Sequence, residues 1–311
     1  MTSPVEPAMT STSLPDQLPG TADSTGEAGR PRRARPRPSG REPGGHKIIV
    51  SVVMAVIGMA FLLPLVWLIL AAFNPHATSG LSAPAFSVDN FRAAFRAGAG
   101  SAIANSLYLA GVSTIVATVV STLAGYVLSR HYVPLKGPIL VGVIFLTGLP
   151  VTLLLIPIYQ MFVKINWLNS PFYTSLVLGA TSVPFAIWLL KNFIDQVPRD
   201  FEEAAAVEGS GQFQILLRVV VPLIMPGILV SAILTFINSW GAFLIPLVLD
   251  SSPGDTPGAV GIYEFITANG QVQFGPLAAY GILFSVPVII MYIISSRWLS
   301  GSFSFAGGIK G

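Results

Sequence analysis

Cysteine is absent from the 311 residues, which excludes disulfides, thiolate nucleophiles and cysteine-bound metal centres at once. Histidine is nearly absent. His46, His76 and His131 have no metal-ligand spacing, so each reads as a loop or interface residue and no metal site is expected. Charge is scarce too: 10% of residues are charged and 52% are hydrophobic, where a soluble domain carries roughly a quarter charged. With a mean hydropathy of +0.71, this is the composition of a membrane protein. The chain also lacks a G-x-x-x-x-G-K-[ST] phosphate loop, so it is not expected to hydrolyse ATP itself. A net charge of +3 would suggest nucleic acid as a partner were it spread over a folded surface. It comes instead from one tail, and no nucleic acid is expected.

That tail is 1–47, rich in Ser, Pro, Gly and Thr, with the arginine-rich run RPRRARPRPSGR. Such a segment buries too little apolar surface to offset its ordering entropy, and disorder is expected. The arginines either touch anionic lipid headgroups on the cytoplasmic face or form a simple topogenic cluster, the plainer reading. No cleaved signal peptide is expected, because the apolar run that follows far exceeds the roughly 7–15 residues of a signal core.

What the chain has in abundance is long apolar runs. A helix needs about 20 residues to cross a bilayer, and runs near 48–73, 101–129, 138–163, 171–191, 222–249 and 277–297 qualify. The expected fold is an all-α membrane protein, with a six-helix transmembrane domain over 48–311. Between spans, fourteen Lys and Arg fall on one side and three (Arg92, Arg96, Lys164) on the other. The positive-inside rule then puts both termini in the cytoplasm. No span contains Asp, Glu, Lys or Arg except at its ends, which speaks against proton relays and ion coupling. Pro64, Pro150, Pro157, Pro184, Pro246 and Pro287 interrupt the runs. Each is a possible hinge, although proline is common in membrane helices.

Against this background DFEEAAAVEGSG, 200–211, stands out for its four carboxylates. Asp200 and Glu203 have capping-box spacing, and acidic groups suit the positive end of a helix dipole. FEEAAAVE is built of good helix formers, and Gly209 suits the left-handed residue that closes a helix. Ser210 is placed to cap a second helix running towards Pro222. The expectation is helix, glycine turn, helix on the inner face of the membrane. A helix that merely rests on headgroups favours Lys and Arg. Acidity points to a protein partner, although Glu202 and Glu208 also read as a plain solvated face.

Glu203-Ala204-Ala205, then Gly209, then Val219-x-Val221-Pro222, is similar to the EAA signature of permease subunits of bacterial ABC importers. VPRDFEEAA, TFINSWGAFLIPLVL and SGSFSFAGGIKG resemble the carbohydrate-uptake branch, in particular its maltose permease G-type subunits, from about Lys47 onward. Gly241 departs from the Asn common there. The resemblance implies a type I importer permease fold with an EAA-type coupling helix that docks on a separate ATPase, in a bacterial cytoplasmic membrane. It implies two ATP-binding cassette subunits carrying ATP and Mg, a second permease in a heterodimer, and an extracytoplasmic solute-binding protein delivering a sugar. No cofactor is then bound by this chain, and no catalytic residue is expected. On that reading Glu202, Glu203, Ala204, Ala205, Glu208, Gly209 and Pro222 form the ATPase-coupling set.

Sugars are recognised by aromatic faces and neutral hydrogen-bonding groups. Asn238, Ser239 and Trp240, with Asn105, Tyr108 and Tyr280, are therefore the candidates for the substrate path. The competing reading is helix packing. The outer segment from Asp250 to Pro276 is expected either to contact the binding protein or to be a flexible loop. A permease for glycerol phosphate or a polyol-like solute is the alternative function. A stand-alone facilitator and a membrane-embedded enzyme fit the charge-free spans less well.

Overall fold

The computed structural model describes residues 44–80, 85–250, 252, 254–266 and 271–306, and the tail over 1–43 lies outside the described residues. The chain divides into two units, Met1–Met54 and Ala55–Gly311. Of the first, only the opening of helix α1 (Gly44–Ala72) is described.

In the second unit α1 leads to α2 (Asp89–Arg96), α3 (Ala99–Arg130), α4 (Lys136–Thr147), α5 (Val151–Lys164) and α6 (Pro171–Asp195). Next come α7 (Asp200–Val207), α8 (Gln212–Ile215), a π-helical turn (Leu216–Val220), α9 (Val221–Leu223) and α10 (Met225–Trp240). The series ends with α11 (Leu244–Leu249), a 3-10 turn (Gly261–Phe265) and α12 (Phe274–Ala306). Among the described residues there is no strand, only an antiparallel bridge between Ile266 and Val272. Four helices are long and apolar enough to cross a membrane alone, and there are six spans if each of two bent pairs counts as one.

The bends are what the apolar runs did not disclose. The run 138–163 is two helices, α4 and α5, meeting at 92°. Pro150 has extended ψ and opens α5, and it also disfavours helical geometry at Leu149 before it. The run 222–249 is divided as well: Gln212–Leu223 and α10 meet at 80°, and α10 stops at Trp240 before a separate α11. Pro226 cannot donate to the carbonyl of Pro222 and its ring crowds it, so the helix turns at Ile224. Pro64, Pro157, Pro184 and Pro287, by contrast, lie inside continuous helices.

The centre of the fold is α3 against α6 and α10. Ala102, Ser106, Ala110, Ser113, Ala117, Ser121, Gly125 and Ser129 repeat every three or four residues on the buried face of α3. Without a hydrophobic force between helices in lipid, such small side chains give contact by letting backbones approach. A Cβ on Gly179 would lie 3.1 Å from the Ser113 carbonyl oxygen, and one on Gly125 would lie 3.1 Å from the Lys191 nitrogen. The Ser113 hydroxyl is 2.8 Å from the Ser175 carbonyl oxygen, which ties the two helices across the crossing.

At the α2 end, Asn90 reaches back to α1. Its amide donates to the carbonyls of Ala71, Ala72 and Asn74 at 3.3, 3.1 and 2.8 Å, satisfying groups that a helix C-terminus leaves unpaired. An apolar cluster that includes Ala71, Ala94, Ala102, Phe265, Ala279 and Tyr280 closes around it.

Candidate coupling surface and transport groove

Helix α7 begins one residue earlier than a capping box requires. Arg199, in helical geometry, holds the cap position, its carbonyl accepting from the amides of Glu202 and Glu203 at 2.9 Å. Asp200 therefore lies inside the first turn and makes no capping bond, though it still sits with Glu202 and Glu203 at the positive end of the dipole. The other end closes as the sequence indicates. Gly209 has φ +89°, the Ser210 amide donates to Ala205 and the Gly209 amide to Ala206, both at 3.0 Å, which is the Schellman pattern. Helix α8 then starts after Gly211 in extended geometry, so Ser210 is not its cap.

The two faces of α7 differ. Glu203, Ala204, Glu208 and Gly209 are exposed, as is Pro222 on α9, and Val207 is 90% exposed. Phe201 and Phe213 add exposed aromatic surface around them. Glu202 and Ala205 point inward instead. Ala205 packs on a buried cluster of Tyr126, Ile194, Ile215, Leu216, Val220 and Ile224, which seats α8 and the π turn on α3 and α6. The Glu202 carboxylate accepts from Arg130 Nε at 2.5 Å and from the Tyr126 hydroxyl at 3.1 Å. Arg130 also donates to the Val197 carbonyl at 2.7 Å, and His131 Nε2 is 3.2 Å from Gln212 Oε1. Sequence reasoning missed Tyr126 and Arg130. The available signal was Arg130, a basic residue at a span end on the same side as the acidic connection that follows α6.

The six path candidates do not come together. Asn238 is exposed and lines a half-open cavity of about 390 Å³ with Thr147, Thr181, Ser182, Phe185 and Thr235, its amide 3.2 Å from Ser182 Oγ. Trp240 is only 3% exposed, stacked between Phe236 and Phe284, and Ser239 is buried beside it. Both side chains are buried and neither lines that cavity. Asn105 and Tyr280 serve the opposite end. The Asn105 amide donates to the Gly254 carbonyl at 2.8 Å and the Tyr280 hydroxyl to the Gly258 carbonyl at 2.6 Å, holding part of the segment after Asp250 against α3 and α12. Tyr108 is exposed on α3, away from that cavity's lining. At Gly241 an added Cβ would meet only the Ile237 carbonyl at 3.5 Å, leaving room for the larger residue common in the resembling family.

Among the described residues no group of His, Asp or Glu could hold a metal ion. The structure thus presents a close-packed helical body, a groove in its side lined by neutral residues, and a helix, turn and helix whose outer face is exposed. The chain belongs to the family of binding-protein-dependent transport system inner membrane components, whose profile matches residues 117–300. It is 35% identical over 212 residues to the sulfoquinovosyl glycerol transport system permease protein SmoH of Agrobacterium fabrum, covering 67% of this chain and 72% of that one. It is 30% identical over 266 residues to the trehalose transport system permease protein SugB of Mycobacterium tuberculosis, covering 82% and 94%. Its fold is also that of a chain in a bacterial ABC transporter involved in the import of the acidic polysaccharide alginate. That match has a TM-score of 0.69 at 17% identity, over 81% of this chain and 96% of the other.

Proposed function

We propose that this chain is the permease subunit of an ATP-driven ABC importer and forms half of the translocation path for a sugar or oligosaccharide. The observation that carries the proposal is the exposed α7 surface, where a carboxylate, small residues and a left-handed glycine stand clear of the body. Its partners are a second permease, two ATPase subunits that carry ATP and Mg, and an extracytoplasmic solute-binding protein. The chain sits in a bacterial cytoplasmic membrane with α7, α8 and both termini on the cytoplasmic side. The excess of Lys and Arg in the tail and in the connections on the α7 side supports that orientation.

On this reading Glu203, Ala204 and Gly209 meet the ATPase, with Glu208 and Val207 at the edge of the contact. Glu202 and Ala205 hold the helix from behind. Asn238, Thr181 and Thr147 present neutral hydrogen-bonding groups to the solute, and Phe185 offers an aromatic face. Among the described residues no charged side chain lines that groove. A phosphate would call for Arg or Lys, so the groove favours a neutral sugar over glycerol phosphate.

The experiment is co-purification of ATPase subunits from the native membranes with wild type and with Glu203→Lys. Wild type should retain the ATPase and Glu203→Lys should lose it while keeping the second permease. If wild type retains no ATPase, the reading fails.

A further inference from the structure

The coupling segment is attached to the membrane body in two different ways. Helix α8 and the π turn bury Ile215, Leu216 and Val220 in the apolar cluster at the ends of α3 and α6. Helix α7 packs against α8 and the π turn and contributes only Ala205 to that cluster. Its direct polar tie to a spanning helix is the Glu202 carboxylate on Arg130 and Tyr126. The side chains of Arg130 and Glu202 are 9% and 12% exposed, so the pair is shielded from water and counterions. Such a pair is weakened little by salt, and losing one partner strands a buried charge.

From this geometry we infer that Arg130 and Glu202 are the positioning pair of the transporter: they make α7 and the end of α3 move as one piece. Arg130 is the last residue of α3, the helix at the centre of the bundle. A displacement of α7 imposed by a partner therefore reaches α3 through this contact without first passing through α8. Because Arg130 also holds the Val197 carbonyl in the connection leading into α7, it fixes the start of the segment as well as its second residue beyond Asp200. The inference rests on the reading that α7 docks on an ATPase, but it assigns a role to the inward face of α7, turned towards α3.

The test uses the assembled complex in lipid nanodiscs with its binding protein. Arg130→Glu and Glu202→Arg are made singly and together, and each complex is first checked for retained ATPase and second permease. Each single variant should lower the ratio of binding-protein-stimulated to basal ATP hydrolysis by about tenfold, within the usual range of coupling between two sites. The double swap, which restores opposite charges, should recover most of that ratio. A milder variant, Arg130→Gln, should raise amide exchange over 200–208 and leave 215–224 protected. Single variants that assemble and keep the wild-type ratio overturn the inference, as does a double variant no better than either single. A wild-type complex without ATPase overturns the functional reading instead, so the two failures are distinguishable.

Discussion

At the crossing of α3 and α6 a glycine meets backbone rather than side chain, and that makes a sharp prediction. A Cβ at Gly179 would sit 3.1 Å from a backbone oxygen, Ser113 O, with Ser113 Cα at 3.5 Å. Backbone cannot swing aside as a side chain can, so Gly179→Ala must push the helices apart by a few tenths of an ångström. That separation lengthens the Ser113–Ser175 contact and loosens the serine and alanine stripe along α3. Overpacking of this kind costs about 1–3 kcal/mol. Gly111 lies on the same α3 with nothing within 4 Å of its added Cβ. Gly111→Ala should therefore be neutral or gain up to about 1 kcal/mol from helix propensity. Reversible unfolding of the purified chain in mixed SDS micelles measures both. Equal effects of the two substitutions, or a stable Gly179→Ala, would refute the close-packing argument.

Asp250 follows α11, is 1% exposed, and neither carboxylate oxygen has a hydrogen-bond partner among the described residues. Burial, with a smaller contribution from Asp255, pushes its pKa up to about 6 from the ordinary 3.8. The folded state thus holds a proton that the unfolded state has lost, so stability falls as pH rises from about 4 to 6 and stays lower above that. Asp250→Asn should be more stable than wild type at pH 8 and should flatten that pH dependence in the same unfolding assay. A variant that keeps the wild-type slope would sink the assignment. In α2, Asn90→Asp replaces the amide that caps α1 with a carboxylate facing three carbonyls. It should destabilise by about 1–3 kcal/mol. Gly275→Ala should act in the same direction, because its Cβ would fall 2.6 Å from the Asn90 amide.

Much of this fold is legible in the sequence because membrane spans are written in length and composition. All six runs contain helices, and the acidic connection folds as a helix, a glycine turn and a second helix. The bends are not legible. Pro157 and Pro184 lie within unbroken helices while Pro150 and Pro226 mark turns near right angles, and only packing separates the two outcomes. The inward carboxylate is hidden for a different reason. Glu202 and Glu203 are adjacent and alike, and which one turns inward depends on Arg130, 72 residues earlier. Trp240 shows the same limit from the other side: an aromatic next to Asn238 suggests a sugar platform, but its ring is spent in a stack with Phe236 and Phe284.

The absence of cysteine makes the central claim directly measurable, since any introduced thiol is unique. Val207, on the exposed face of α7, and Phe86, before α2 and 82% exposed, are the two sites to compare. Val207→Cys carrying a short photo-crosslinker, in the complex in native membranes, should capture an ATPase subunit, and Phe86→Cys should not. Capture of the ATPase from Phe86 and not from Val207, or from neither, would contradict the account.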